Sequence, residues 1–316
     1  MKKIFLKKVH AITALSLCFI LALGACICGC SSNRVKAISI TFPNYADDFS
    51  VENVTVELKD RKSLEETING FSAEIFGNPK LTDYAIVEKL GFEKNDFTVS
   101  RTTGQRKYKK ITDKTTQWLE IDEFGCFSYT VEYENTGEEY KEYPYTERET
   151  MEMGREYLKS IGLWSKDISD EGRGTTTSGT ADGVTTISGR GIIFYRKGIL
   201  GIPVSGNFRM QVEFNIDGKV RFVNYNWREY ESSSKAELIS LDEAMDRINA
   251  GNAMFEYESM PTKLIIERVT LSYWSENNDT DNVVMQPVYI FSGTNVVSGG
   301  ESETFYITVQ ANRVTG

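Results

Sequence analysis

The sequence predicts an α+β fold in which a short amphipathic helix followed by a three-stranded antiparallel meander recurs three times, behind an N-terminal export signal. Three observations carry this expectation. Thr146 with Glu149, and Ser240 with Glu243, have the spacing of capping boxes, where the hydroxyl and the carboxylate satisfy backbone donors at a helix start. Phe208 to Ile216 alternates apolar and polar residues and turns through Asp217-Gly218 into Lys219-Val220-Arg221-Phe222, the pattern of a hairpin with one buried and one wet face. Gly91, Gly162 and Gly251 each close a helical stretch.

The first element is the signal. Met1 to Lys8 carries four lysines and no acid, an apolar stretch runs from Ala11 to about Ala25, and three cysteines follow within five residues. That order of charge and apolarity is a secretory signal, excluded from the folded body. Leu23-Gly24-Ala25-Cys26 and Ile27-Cys28-Gly29-Cys30 both resemble the bacterial lipobox. The resemblance implies cleavage before a cysteine that carries a diacylglycerol and anchors the protein to the outer face of the cytoplasmic membrane. Cys30 is the expected site, because Gly29 precedes it and the polar Ser31-Ser32-Asn33 follows; Cys26 is the alternative. An uncleaved span would need ~20 apolar residues, and zinc sites space their cysteines more widely than Cys26, Cys28 and Cys30.

With the signal at 1-29, the expected segments are 30-80 (a tether and a strand near Val54 to Leu58), 81-140, 141-230 and 231-316, the last three being the α+β units. In the first unit a helix from Thr82 to Leu90 precedes strands near Phe97, at Gln117 to Ile121 and at Cys126 to Tyr133. The second has a helix opening at Thr146, then strands near Ile192 to Tyr195 and the two hairpin arms. The third has a helix from Ser240 to Ala250 and strands at about Leu264 to Trp274, Val283 to Phe291 and Thr304 to Ala311. The polar run Asp170 to Gly179 reads as a mobile excursion. Ser275 to Asn282 reads as a hairpin tip, since it lacks the central glycine and terminal glutamate of an EF-hand.

Composition narrows the chemistry. The single histidine, His10, lies in the signal, so the mature chain has no His for a Ser-His-Asp triad, a Cys-His pair or an HExxH zinc site. Removing Lys2, Lys3, Lys7 and Lys8 from 36 basic residues leaves 32 against 45 acidic ones, a net charge of −13. Such a body repels nucleic acid and anionic headgroups, so membrane attachment is expected through the lipid alone. Cys126 is the one cysteine left after cleavage at Cys30, and a lone thiol makes no disulfide framework.

The stretches "ISLDEAMDRINAG", "GIPVSGNFRMQVEFNIDGKVRFV" and "MQPVYIFSG" followed by "TFYITVQA" resemble the PepSY-type module, and most of all its variant in the YycH/YycI regulatory proteins. The resemblance covers residues 140 to 316 and rests on Ile202-Pro203-Val204, the Asp217-Gly218 turn, the capped helix, Gln286-Pro287-Val288 and Ala311. It implies a non-enzymatic regulator of a sensor kinase or a protease, with no catalytic residue, cofactor or metal. The lipobox departs from those regulators, which are single-span membrane proteins, and a lipid cannot signal by helix-helix contact through the bilayer.

The expected function is therefore a surface lipoprotein that binds another envelope protein, with no nucleic-acid partner and any small-molecule ligand left open. Trp118, Trp164, Trp227 and Trp274 are candidate contacts because interfaces favour aromatics. The alternative is a cell-wall glycan or peptidoglycan binder in which Tyr225, Trp227, Tyr273 and Trp274 stack on sugar rings. A carboxylate-only hydrolase is a third reading, needing two acids about 5 to 10 Å apart.

Overall fold

A computed structural model describes residues 35–42, 54–133, 143–181, 184–206, 208–275, 284–297 and 302–314. The signal, Cys26, Cys30 and most of the 275–282 hairpin tip lie outside them. Local chemistry sets the helices. Asp60 caps α1 (Arg61–Asn69) by accepting from the Ser63 N–H, and Leu64 and Ile68, four residues apart, give it a buried stripe. The short α2 (Ala85–Lys89) follows Tyr84, whose φ of 60° keeps it out of the helix, so the stretch expected from Thr82 starts three residues later. Both capping boxes close, on α3 (Glu147–Ser160) and α4 (Leu241–Asn249).

The strands assemble differently from the expectation. Among the described residues 47% are strand and 16% helix, with four helices, and the chain does not form repeated helix-plus-meander units. An eight-stranded antiparallel sheet takes β3 (Thr98–Val99), β4 (Arg106–Ile111), β5 (Thr115–Ile121), β6 (Phe127–Tyr133), β11 (Val220–Tyr225), β10 (Arg209–Asn215), β8 (Val184–Arg196) and β7 (Ile168–Ala181), in that spatial order. The seam is β6 against β11, with Phe127 opposite Tyr225 and Thr130 opposite Phe222. Two meanders that would each have ended in a row of unpaired N–H and C=O groups satisfy one another instead. That pairing replaces the expected separate first and second units by one sheet.

The run from Asp170 to Gly179 is strand and not an excursion: β7 pairs with β8 from Gly172 opposite Phe194 to Ala181 opposite Val184. Its Gly and Thr content reads as loop, but Thr is a good strand residue. Gly191 opposite Thr175 makes the room, since a Cβ there would stand 2.5 Å from the Thr175 hydroxyl.

A six-stranded sheet orders β1 (Thr55–Leu58), β14 (Lys263–Ser275), β15 (Gln286–Val296), β16 (Ser302–Gln310) and β13 (Met254–Glu256), with β9 (Val204–Gly206) also pairing with β14. β1 and β9 run parallel to β14; the rest is antiparallel. A two-stranded ribbon joins β2 (Glu74–Pro79) to β12 (Tyr230–Lys235). One core forms where α1 and α4 cover the six-stranded sheet, through Leu64, Ile248, Leu264, Tyr289 and Phe305. The other lies where α2 and α3 cover the eight-stranded sheet, through Val87, Leu158, Phe194 and Val212. Val204 and Tyr230 touch both, and Val35–Gly316 forms one compact unit.

The cap of α4 has a pH signature. Glu243 accepts from Arg313 and from the Ser240 N–H, and these hold its carboxyl at about 2, below the ordinary 4.5. A group whose pKa is depressed in the folded state contributes stability that is present above its unfolded value and is lost as pH falls through its folded value. The urea midpoint is therefore expected to drop between about pH 4.5 and pH 2, and Glu243→Gln to flatten part of that drop. A variant whose midpoint follows the wild-type pH profile throughout would remove Glu243 from this account.

Candidate functional site

Of the strand aromatics expected to contact a partner or a sugar ring, Tyr225, Trp227, Tyr273 and Trp274, the structure brings Tyr225 and Trp227 together and puts Tyr273 and Trp274 elsewhere. Tyr225 and Trp227 line an open cleft of about 310 Å³ at the end of the β6–β11 seam. Tyr225 stacks on its cross-strand partner Phe127, with centroids 5.4 Å apart and planes 16° from parallel. Phe124 completes the aromatic floor, and Leu81, Ile86 and Leu163 supply apolar walls.

The cleft is built before any ligand arrives. Its Lys80–Asp83 wall is pinned by two backbone bonds, Lys80 N–H to the Glu229 carbonyl and Thr82 N–H to the Glu123 carbonyl, both 2.8 Å. Trp227 is buried, its indole N–H donates to Glu229 Oε1 at 3.2 Å, and the Arg196 guanidinium lies 4.9 Å from its ring centroid. Behind the floor, Arg228 and Asp122 form a buried pair at 3.4 Å, with the guanidinium 5.3 Å from the Phe124 centroid. Burial, reinforced by Asp122, pushes the Cys126 thiol up to about 12, so at neutral pH it is a protonated core residue and not a nucleophile.

Charge at the rim is uneven. Asp83 is occupied in capping the Ala85 N–H, and Glu229 holds Trp227 with Arg196 at 4.0 Å. Lys80 and Lys89 both line the cleft, and among the described residues neither has a carboxylate at ion-pair distance, so the rim carries two uncompensated positive charges on an acidic protein. Leu81 stands at the mouth with 65% of its surface exposed. This arrangement suits an apolar side chain with an acidic neighbour. Among the described residues no group of three or more His, Cys, Asp or Glu side chains is placed to hold a metal.

Tyr273 is fully buried, and its hydroxyl accepts from the Glu74 N–H at 3.1 Å. Trp274 is buried under Phe42, edge to face at 5.4 Å. Trp164 packs on Phe194 and under Arg155, and Trp118 lies near Lys109. Sequence reasoning missed Lys80, Leu81, Lys89 and Phe124. Phe124 had a local signal, since it sits in the turn between the strands flanking Asp122-Glu123-Phe124-Gly125; Lys89 lay in the helix expected from Thr82 to Leu90, and Lys80 and Leu81 in the stretch before it, with no motif to single them out.

No family model matches the chain, and no curated protein does. Among solved structures, the crystal structure of an uncharacterized protein from Eubacterium rectale ATCC 33656 is similar at 9% identity, covering 77% of this chain and 84% of that one, with a TM-score of 0.37.

Proposed function

We propose that this chain is an exported, non-enzymatic lipoprotein, anchored through Cys30 or alternatively Cys26, whose cleft binds another protein of the cell envelope. The observation that carries the reading is the convergence of Tyr225, Trp227 and Phe124 beneath the exposed Leu81, with Lys80 and Lys89 at the rim and, among the described residues, no carboxylate at ion-pair distance from either. Rigid buried aromatics beside an exposed apolar residue are what interface hot spots are built from. The resemblance of residues 140 to 316 to YycH/YycI regulators points to a sensor kinase or a protease as the partner.

The test is a photocrosslinking residue at position 81, in cells, on the native anchor. One envelope protein is expected to be captured, and capture is expected to fall at least tenfold in Lys80→Glu/Lys89→Glu and in Cys26→Ala/Cys30→Ala. These surface and anchor changes leave the core untouched, so loss of capture reports binding. Capture of wall fragments alone would move the glycan-binding reading to the front, and equal capture by the lysine variant would remove the cleft.

A further inference from the structure

The outer face of the six-stranded sheet carries a second site, separate from the cleft. Residues 35–42 form neither helix nor strand, yet side chains of the strands hold their backbone, beginning with the Ser234 hydroxyl, which donates to the Val35 carbonyl at 2.9 Å. The Gln286 amide brackets Ile38, accepting from its N–H at 3.3 Å and donating to its carbonyl at 2.8 Å. Gln310 donates to the same carbonyl at 2.7 Å and accepts from the Ile40 N–H at 3.1 Å. Both glutamines are buried, at 1% and 5% exposure, and what they hold of residues 35–42 is backbone alone. Backbone reading by fixed amides is tolerant of the sequence it holds, which is how proteins take up extended segments.

The resident segment leaves the groove incompletely satisfied. Asn312, fully buried, donates from Nδ2 to Gln286 Oε1 at 3.4 Å, but its own Oδ1 has no partner among the described residues. Trp274 stands opposite Gln286 in the β14–β15 register, is 8% exposed, and its indole N–H is likewise unpartnered. Buried polar groups without partners are uncommon. Here an acceptor and a donor both neighbour the glutamine that grips the strap. The strap offers them Phe42 and Ile40, which pack on Trp274 and Val288 and have no side-chain hydrogen bond to give.

We propose that the Gln286–Gln310–Trp274 groove is a binding site for an extended peptide, that residues 35–42 occupy it in cis, and that an extended partner segment carrying an amide or hydroxyl side chain displaces them. Such a side chain has the acceptor for Trp274 and the donor for Asn312 that the strap lacks. The probes are two fluorescent peptides, one with the sequence of residues 35–42 and one with Asn in place of the phenylalanine corresponding to Phe42, titrated into the full chain in detergent. Ile38→Pro removes one strap donor without touching the groove.

Both peptides are expected to bind Ile38→Pro at least tenfold more tightly than wild type, the Asn peptide the tighter of the two. Adding Gln286→Ala/Gln310→Ala is expected to abolish binding. Wild-type hydrogen exchange supplies a readout that needs no variant: the amides of Ile38 and Ile40 should exchange faster than those of β15, by opening of the strap alone. Equal protection of strap and β15, no binding to Ile38→Pro, binding that survives loss of both glutamines, or strap exchange between two copies seen as a dimer with no peptide bound would each overturn the proposal.

Discussion

Gly293→Ala is expected to destabilise the protein by about 3 kcal/mol or more, the scale of a badly overpacked core substitution. β14 bulges between Ile266 and Arg268, opposite Gly293, and the bulge brings the Ile265 carbonyl beneath the glycine. A Cβ at 293 would stand 1.9 Å from that oxygen and 3.0 Å from the Glu267 nitrogen. Both obstacles are backbone, so no rotamer relieves them and the central strand pair must part. Gly251 provides the control: its Cβ would meet nothing within 4 Å, although its φ of +74° leaves a backbone penalty of about 1 kcal/mol. Urea midpoints measured side by side decide the matter. A Gly293→Ala midpoint no lower than that of Gly251→Ala would show that the bulge relaxes freely.

Asp122→Ala is expected to cost about 3–5 kcal/mol, the range for leaving a buried charge without its partner. Oδ1 accepts from the Phe124 and Cys126 N–H groups at 2.9 and 2.8 Å, while Oδ2 faces Arg228 at 3.4 Å. Truncation orphans two backbone donors and strands a guanidinium whose Nε and Nη1 have no hydrogen-bond partner among the described residues. The reciprocal change differs in degree. Arg228→Met removes the counter-charge of a buried carboxylate but leaves Asp122 its two backbone donors, so its cost is expected at the low end of that range, about 3 kcal/mol. Arg228→Met placed in the Asp122→Ala background should accordingly restore much of the loss, a coupling that a double-mutant cycle reads directly. Equal midpoints for the two single variants would contradict this asymmetry.

What could be read from the sequence is what depends on near neighbours. The capping boxes at Thr146 and Ser240, the Asp217-Gly218 turn and the alternation through β10 are decided within a few residues, and they lie where expected. How the pieces assemble is decided by pairs far apart in the chain. Nothing near Tyr133 announces that β6 will meet β11, and the serines of β12 read as loop until Phe76 and Ile75 are set beside them. α1 has only Leu64 and Ile68 as buried residues, too few for a periodic signal. The candidate site follows the same rule. Tyr225 and Trp227 are visible as aromatics in a strand-rich stretch, but the cleft exists because the loop at Lys80 is tied to Glu229 and Glu123.

The strap at residues 35–42 also governs the order in which the chain can finish folding. It is synthesised first among the described residues, and the amides that hold it, Gln286 and Gln310, lie 248 and 270 residues later. β1 waits likewise for β14, its parallel partner. Contacts this distant form slowly, because a long loop must close before any of them can form. Until β14, β15 and β16 exist, Ile40 and Phe42 have no surface to cover, and a chain cut short before Gln286 would carry them as loose apolar residues. The docked strap is thus a seal that cannot close until the strands bearing Gln286 and Gln310 have been made.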